Sequence, residues 1–324
     1  MEQIEKHSFP AAELIKTYPP QLRHPNKRLV YERARAANAP VAGEIVYARW
    51  GGNHLPYVIP ARRSFTIQPG IYDYTAPHPV YTTAWQVNFA DPALFCAYGS
   101  ALLAQDELQV AEHPILGSLR EALLAGGHPA CTVERGQPTP VTVTGAHRLC
   151  ILHIEPDPSA GRPNGLYGHN FSHAAPPQIS AAVEPLNPPT QSNILAMAAP
   201  ACGVGEYTPA QIKYILQTAC LGFSAAQTES QRLAGPAAVS LIHTGFWGCG
   251  AYGGSRIMMI LLQALAADLI GVDLVFYTVD EPGAATARQA LDIYNRLCAD
   301  DPSLAGMLAS IQQLHLQWGF SNGT

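Results

Sequence analysis

A glycine-rich loop between two apolar runs is the feature that most restricts how this chain can fold. The run Val239–Ile242 precedes the loop, five of the ten residues at 245–254 are glycine, and a second apolar run follows Arg256. Glycine permits positive φ angles and lets a ligand approach bare amide groups. The pattern predicts strand, loop and helix, and a helix beginning near Ser255 directs its free N–H groups at the loop. A nucleotide-like anion is therefore the first ligand we expect.

Strand-like and helix-like segments alternate on both sides of this loop. Thr208, Pro209 and Gln211 form a capping box with proline at the first helical position, which predicts a helix start. A further helix is predicted to start near Gln105, and four more are predicted over Leu116–Leu124, 255–271, 283–298 and Ser303–Trp318. The predicted strands are Thr82–Ala90, Val141–Thr144, Cys150–Ile154, Asn193–Ala199, the segment from Val239, and Leu274–Val279. This alternation predicts a layered α/β fold with a largely parallel sheet.

The first eighty residues contain ten prolines, and proline breaks helices and weakens strands. We therefore predict an irregular N-terminal extension over 1–80, packed on a catalytic domain at 81–324, with one short helix near Lys27–Ala37. The basic residues between Arg23 and Arg35 are expected to form a solvated face. We also predict a long loop over Pro156–Ser192, which in a compact domain is usually functional or disordered.

Charge and composition limit the partners. The net charge is −5 and only 13% of the residues are charged, so we expect neither nucleic-acid nor membrane binding. The seven cysteines are odd in number and widely spaced, which favours reduced thiols. The N-terminus lacks the apolar core of a cleavable signal. We expect a cytoplasmic protein, or one secreted into a host cell without a cleavable signal.

A dinucleotide site is one interpretation of the loop, because Gly248, Gly250 and Gly253 have the G-x-G-x-x-G spacing. Two observations count against it. Three residues separate the strand from Gly248, whereas the fingerprint turn lies tight against its strand, and only one strand follows. This interpretation would make the protein an NAD-dependent oxidoreductase.

A family resemblance gives a second interpretation. Thr244–Gly254 reads T-G-F-W-G-C-G-A-Y-G-G and resembles the T-G-N-W-G-C-G-A-F-G-G loop of poly(ADP-ribose) glycohydrolases, a branch of the macrodomain fold. Val87–Asp91 resembles their V-D-F-A-N strand end, and Gln105–Glu107 stands where they carry Q-E-E. Thr144–Ala146 and Leu221–Phe223 resemble their T-G-A and C-G-F segments. The resemblance covers roughly residues 80–300 and implies a three-layer α/β/α fold.

Two departures from that family matter. The family's first diphosphate-binding loop, with its glycine triplets, is replaced by Phe95–Leu102, which has a single glycine. Phe95 and Tyr98 could stand as walls against the sugar or pack in the core. Asp91 replaces an asparagine, and an ionised carboxylate accepts hydrogen bonds but donates none. These changes put cleavage of long polymer in doubt.

The resemblance implies an oxocarbenium-like reaction at the ribose anomeric carbon, which needs a proton donor, a base and nearby negative charge. It makes Glu107 the general acid/base, with Asp106 either positioning the ribose or assisting Glu107, and with Asp91 as a second carboxylate. Standing alone, Gln105–Glu107 would be three polar residues at a helix start. Trp247 is expected to pack beneath the loop. The ligand-binding residues we expect are Asn88, Phe95, Gln105, Thr244, Gly245, Phe246, Gly248, Cys249, Gly250, Ala251, Tyr252 and Asp280.

Asp280 could instead cap a helix, and His169 with His173 has a zinc-like spacing but no third ligand, so we expect no metal. The leading hypothesis is a cofactor-free, monomeric hydrolase that removes ADP-ribose from a protein side chain. A bacterial effector acting on ADP-ribosylated ubiquitin is one form of it. A non-catalytic ADP-ribose reader and a poly(ADP-ribose) glycohydrolase are the alternatives.

Overall fold

The computed structural model describes residues 1–37, 41–52, 55, 61–74 and 82–323. Its strands are β1 (Glu2–Pro10), β2 (Glu44–Gly51), β3 (Phe65–Gln68), β4 (Thr82–Phe89), β5 (Val133–Glu134), β6 (Gln137–Pro138), β7 (Val141–Leu152), β8 (Val183–Met197), β9 (Val239–Thr244) and β10 (Asp273–Tyr277). Eight of them form one mixed sheet in the order β1-β2-β7-β8-β4-β9-β10-β3, and β5 pairs with β6. Pairing is antiparallel from β1 to β8 and parallel from β8 to β3.

Helices cover both faces of this sheet. They are α1 (Ala11–Thr17), α2 (Pro25–Ala36), α3 (Gln105–Glu112), α4 (Ile115–Ala125), α5 (Asn170–His173), α6 (Pro176–Ala182), α7 (Pro209–Ala234), α8 (Arg256–Ile270), α9 (Glu281–Asp300) and α10 (Leu304–Gln313). Successive side chains of a strand point to opposite faces, and β8 shows this clearly. Leu195 and Met197 pack in a cluster with α7 and α8, whereas Ile194 and Ala196 pack in a cluster with α1, α3 and α4. The protein therefore has the expected three-layer α/β/α arrangement.

Local sequence signals set several helix starts. The Thr208 hydroxyl accepts a hydrogen bond from the Gln211 amide at 3.3 Å, which confirms the predicted capping box. Ser255 caps α8 in the same way, through the Met258 amide at 3.4 Å. The last predicted helix ends earlier than expected, at Gln313. Over the described part of the chain, no helix has the length and apolar character needed to cross a bilayer.

Three expectations about local structure were wrong. The described residues among 1–80 are not mostly irregular, because β1, β2 and β3 supply both edges of the sheet. Their prolines lie largely at helix starts or between elements; Pro40, Pro56, Pro60, Pro77 and Pro79 lie outside the described residues. The domain boundary at 80/81 stays a prediction.

The two strands predicted around Gly145 are one strand, β7, with a register shift between Val143 and Ala146. Gly145 has φ +75°, and a Cβ there would lie 2.4 Å from the Glu44 carbonyl, so the glycine permits a bulge in a continuous strand. The loop predicted over Pro156–Ser192 contains α5, α6 and most of β8. Proline and asparagine in the outer part of β8 concealed its strand character.

Candidate functional site

The carboxyl ends of β4 and β9 lie side by side, because these two strands are parallel neighbours. Asp91 follows the end of β4 by two residues, and Gly245 directly follows β9. The topology therefore brings together two segments that are separated by about half of the chain. In open α/β sheets this edge is where ligands bind.

The first turn of α3 is tied to the end of β4 by one side chain. The side-chain oxygen Oε1 of Gln105 accepts a hydrogen bond from the Phe89 amide at 2.7 Å, and its Nε2 donates to the Val87 carbonyl at 3.1 Å. The side-chain amide of Gln105 thus makes two hydrogen bonds to the backbone of β4. This fixes the two acidic residues that follow it relative to the strand end.

Asp106 and Glu107 are both buried, with 6% and 4% of their surfaces exposed. Asn88 donates from Nδ2 to Asp106 Oδ1 at 3.0 Å, and Glu107 Oε2 accepts the Ala104 amide at 2.9 Å. Burial raises the pKa of Asp106 above its ordinary range, and the neighbouring Glu107 carboxylate raises it further. A buried carboxyl group with a raised pKa holds a proton readily, which is the property that a general acid requires.

Lys27 supplies a positive charge to this pair, and the sequence did not predict it. Its side chain is 2% exposed and its Nζ donates to the Glu107 carbonyl at 3.4 Å. Burial lowers the pKa of Lys27 to about 8, against the attraction of Glu107 and Asp106. The basic segment Arg23–Arg35 is therefore not wholly a solvated face, because α2 turns this lysine into the core.

One hydrogen bond connects the acidic side of the site to the glycine-rich loop. The Tyr252 hydroxyl donates to Asp91 Oδ2 at 3.0 Å, while Asp91 Oδ1 accepts the Ala93 amide at 2.8 Å. Burial and the Asp91 carboxylate both raise the pKa of Tyr252, so the phenol remains protonated. Asp91 and Tyr252 are half-buried, which leaves this bridge at the surface where a ligand would enter.

Two contacts explain why the loop needs glycine. Gly248 has φ +74°, and a Cβ there would lie 2.5 Å from the Ala199 Cβ. A Cβ on Gly254 would lie 2.8 Å from the Gly248 carbonyl, to which the Gly254 amide donates at 2.9 Å. Trp247 is fully buried below the loop and donates from Nε1 to the Met197 carbonyl at 2.9 Å, which confirms its packing role.

The other expected ligand-binding residues of the loop differ in how deeply they are buried. Thr244 is buried and donates to Gln263 Oε1 at 2.6 Å, and Gln263 donates to the Gly245 carbonyl at 3.2 Å. These bonds hold the strand end rigid. The half-buried residues of the loop, which a ligand can reach, are Phe246, Gly248, Cys249, Gly250, Ala251 and Tyr252.

Asp280 directly precedes α9, and the ring of Phe246 from the loop lies next to Gly283 in the first turn of this helix. The Arg256 guanidinium stacks 4.3 Å from the Phe246 ring centroid. Asp280 is exposed and its Oδ1 accepts the Gly283 amide at 2.8 Å, so it caps α9. A contact between Asp280 and a ligand remains a prediction beside this capping role.

The structure places Phe95 in the core and not at the ligand surface. Its side chain is fully buried, in the cluster that contains Leu94 and Leu116. Its φ of +53° is left-handed, which is costly for a bulky residue and usual for glycine. The chain thus keeps a glycine-type backbone at the loop that departs from the family pattern, while the ring fills the interior. Tyr98 is also buried in this cluster.

Two tyrosines near the site were not predicted. Tyr72 donates to the Val87 carbonyl at 2.9 Å and packs edge-on against Phe89, with ring centroids 6.3 Å apart. Tyr167 lies beside the Gln105 backbone and Glu107 and is 41% exposed. Neither residue belongs to a motif of recognisable spacing, so the sequence carried no signal for them.

The predicted absence of a metal rested on His169 and His173. His169 Nε2 hydrogen-bonds with the Gly323 carbonyl at 3.1 Å, and His173 ends the short helix α5. In the described part of the chain these two histidines belong to no group of three converging metal ligands.

Comparisons with known proteins support the resemblance. Residues 167–286 match the family model described as poly(ADP-ribose) glycohydrolase, macrodomain fold. The chain is therefore similar to this class of macrodomain over a segment that includes the glycine-rich loop. The segment does not include Asp91, Asp106 or Glu107, whose roles stay predictions.

Solved structures of two poly(ADP-ribose) glycohydrolases and of a macrodomain are similar to parts of this chain. The poly(ADP-ribose) glycohydrolase of Thermomonospora curvata is 14% identical with a TM-score of 0.46, and 86% of this chain and 97% of that chain are covered. The enzyme from Deinococcus radiodurans in complex with ADP-ribose is 12% identical with a TM-score of 0.41, over 87% and 97%. An Oceanobacillus iheyensis macrodomain with MES bound is 13% identical with a TM-score of 0.37, over 66% and 86%.

Proposed function

We propose that this macrodomain-type protein hydrolyses the glycosidic bond between ADP-ribose and a protein side chain. The observation that carries the proposal is the joining of a buried acid pair to a glycine-rich loop at one sheet edge. The Tyr252–Asp91 hydrogen bond connects the loop to the segment that follows β4, and Gln105 ties the acid pair to the end of that same strand. The loop would hold the diphosphate, and the acids would act at the distal ribose.

The proton chemistry follows from the burial of the acids. Asp106 has a raised pKa, so it can hold a proton that Glu107 receives or gives. Hydrogen bonding among the described residues occupies Glu107 Oε2, and Oε1 is then the oxygen that would protonate the leaving group or activate water. Asp91 would stabilise the positive charge that develops on the ribose ring.

A modified protein fits the altered first loop better than a long polymer does. Phe95 and Tyr98 of this segment pack in the core, and the segment keeps a single glycine, so it offers few glycine-lined contacts to a further ADP-ribose unit. A single ADP-ribose unit attached to a protein needs no such room. Ubiquitin is one candidate for that protein.

The test is release of free ADP-ribose from a panel of mono-ADP-ribosylated proteins with defined Arg, Ser, Thr, Asp and Glu linkages, beside poly(ADP-ribose). We expect turnover on at least one mono-ADP-ribosyl linkage and a loss of at least a hundredfold in Glu107→Gln. Glu184→Gln, which changes an exposed glutamate paired with His153, is the matched control and should keep full activity. Full activity of Glu107→Gln would contradict the acid assignment.

A non-catalytic reader of ADP-ribose is the second candidate, and one contact favours it. Glu107 caps its own helix through the Ala104 amide, which is the structural role that a helix-start glutamate has without any chemistry. A reader would bind ADP-ribose in calorimetry and release none from any linkage. Turnover on the panel separates the two candidates.

A further inference from the structure

Three potential metal ligands converge at the edge of the sheet that β1 forms, which is the edge opposite to β3. Glu5 and His7 lie on β1, and His128 follows α4. Glu5 Oε1 lies 2.9 Å from His7 Nε2 and 2.7 Å from His128 Nδ1. All three ligand atoms lie within 4.8 Å of one another. No other group of this kind occurs among the described residues.

The backbone explains how the cluster forms. Residues two apart on a strand point to the same face, so the spacing of Glu5 and His7 places both side chains on one side of β1. His128 reaches them from the turn that follows Gly126 and Gly127. The rings of His7 and His128 lie 4.1 Å apart between centroids. Their nitrogens therefore face one carboxylate oxygen from two separate segments of the chain.

The chemistry of this donor set suits a zinc-class ion. Two imidazole nitrogens and one carboxylate oxygen are the protein ligands of many zinc sites that keep a fourth position for water. Tetrahedral metal–ligand bonds of about 2.0–2.2 Å place neighbouring ligand atoms about 3.3–3.6 Å apart, so the separations of 2.9 and 2.7 Å to Glu5 Oε1 would have to lengthen by about 0.4–0.9 Å. A small shift of the half-exposed His7 and His128 side chains would admit the ion.

The surrounding charges also permit a cation. Arg49 donates to the other oxygen of Glu5, Oε2, at 3.3 Å, and its guanidinium is paired with Glu134 at 2.9 Å. Arg49 therefore leaves Oε1 facing the histidines, and Glu134 offsets its charge. Glu5 is 12% exposed on its side chain, His7 26% and His128 39%, so an ion from solvent can reach them.

We propose that Glu5, His7 and His128 bind one divalent transition-metal ion of the zinc class, with water in the remaining position. The ion ties β1 to the turn after α4, and its role is structural because the site lies four strands away from β4 along the sheet. Without an ion, both imidazoles would donate to Oε1, and this is the competing arrangement.

The test uses the full chain after exhaustive dialysis against a chelator. Calorimetry then measures the binding of added Zn²⁺, and thermal unfolding measures the midpoint with and without Zn²⁺. Co²⁺, which absorbs visible light when bound by histidine and carboxylate, serves as a second probe. We expect one Zn²⁺ per chain and a rise of at least about 3 °C in the unfolding midpoint at saturating metal. His128→Ala and His7→Ala should each lose the stoichiometric binding and the rise.

His153→Ala is the matched control, because His153 pairs with Glu184 at 2.8 Å in a similar exposed contact that has no second histidine. It should bind Zn²⁺ as the unmodified protein does. The proposal is overturned if the unmodified protein shows no stoichiometric binding, or if His128→Ala and His7→Ala retain the same binding and midpoint rise. Should either variant unfold before titration, the Co²⁺ spectrum of the unmodified protein decides alone, since absence of histidine-ligand absorption also overturns it.

Discussion

Lys27 should make the stability of this protein rise with pH in alkaline solution. In the unfolded chain a lysine titrates near its ordinary value, about 10.4, whereas burial lowers the pKa of Lys27 to about 8 in the folded protein. Between these two values the unfolded state binds more protons, so the free energy of unfolding increases with pH. Below pH 8 the folded state bears the full cost of the buried ammonium ion, about 3 kcal/mol by the same arithmetic.

The test compares the protein with Lys27→Met, which keeps a long apolar side chain and removes the charge. From pH 8 to pH 10 the free energy of unfolding of the unmodified protein should rise by about 2 kcal/mol relative to the variant.

Urea unfolding at pH 8 and pH 10 measures this difference, followed by fluorescence and with the slope on denaturant compared. Lys16→Met is the control, because Lys16 is an exposed lysine of α1; it should follow the unmodified protein at both pH values. If Lys27→Met shows the same pH dependence as the unmodified protein, then Lys27 is not a buried amine with a lowered pKa. The electrostatic description of the acid pair would then be wrong.

Two further predictions concern the loop. Gly248→Ala should lower the free energy of unfolding by about 3 kcal/mol and abolish ADP-ribose binding in calorimetry, because Gly248 has a positive φ and the added Cβ would collide with Ala199. Gly271→Ala is the control: Gly271 also has a positive φ, but an added Cβ would have no atom within 4 Å, so the substitution should cost only about 1 kcal/mol. Equal costs for the two substitutions would refute the argument from the Ala199 contact. Tyr252→Phe should cost about 1–2 kcal/mol by removing the bond to Asp91, and unchanged urea unfolding would show that the bond contributes nothing.

The parts of the fold that follow local rules were predictable from sequence. The cap at Thr208, the glycine-rich loop after β9 and the apolar strand β4 each have a signal within a few residues. The layered α/β fold then follows from the alternation of strands and helices, whereas its three-layer arrangement was implied by the family resemblance. The strands of the first eighty residues were missed, because their pairing partners lie far away and their composition resembles that of loops.

For the candidate site, too, the sequence predicted the residues that have a local signal and missed those that depend on tertiary packing. The acid pair and the loop were found from their spacing and resemblance, but Lys27 was not, because only the tertiary packing of α2 reveals its burial. For Phe95 the sequence left a wall against the sugar and packing in the core as alternatives, and the structure places its ring in the core. The histidine and glutamate cluster was missed because His128 lies far from Glu5 and His7 in the chain.

The position of β3 has a consequence for biosynthesis. Phe65 on β3 pairs with Leu274 on β10, so this sheet edge cannot form until the ribosome has made all of the chain between these two residues. At about 5–20 residues per second this interval lasts about 10–40 seconds. During that time the nascent residues of β3 have no sheet to join. We therefore expect the sheet to be completed slowly and largely after translation. Until then the apolar side chains of β3 remain uncovered, and we expect chaperones to bind the nascent chain.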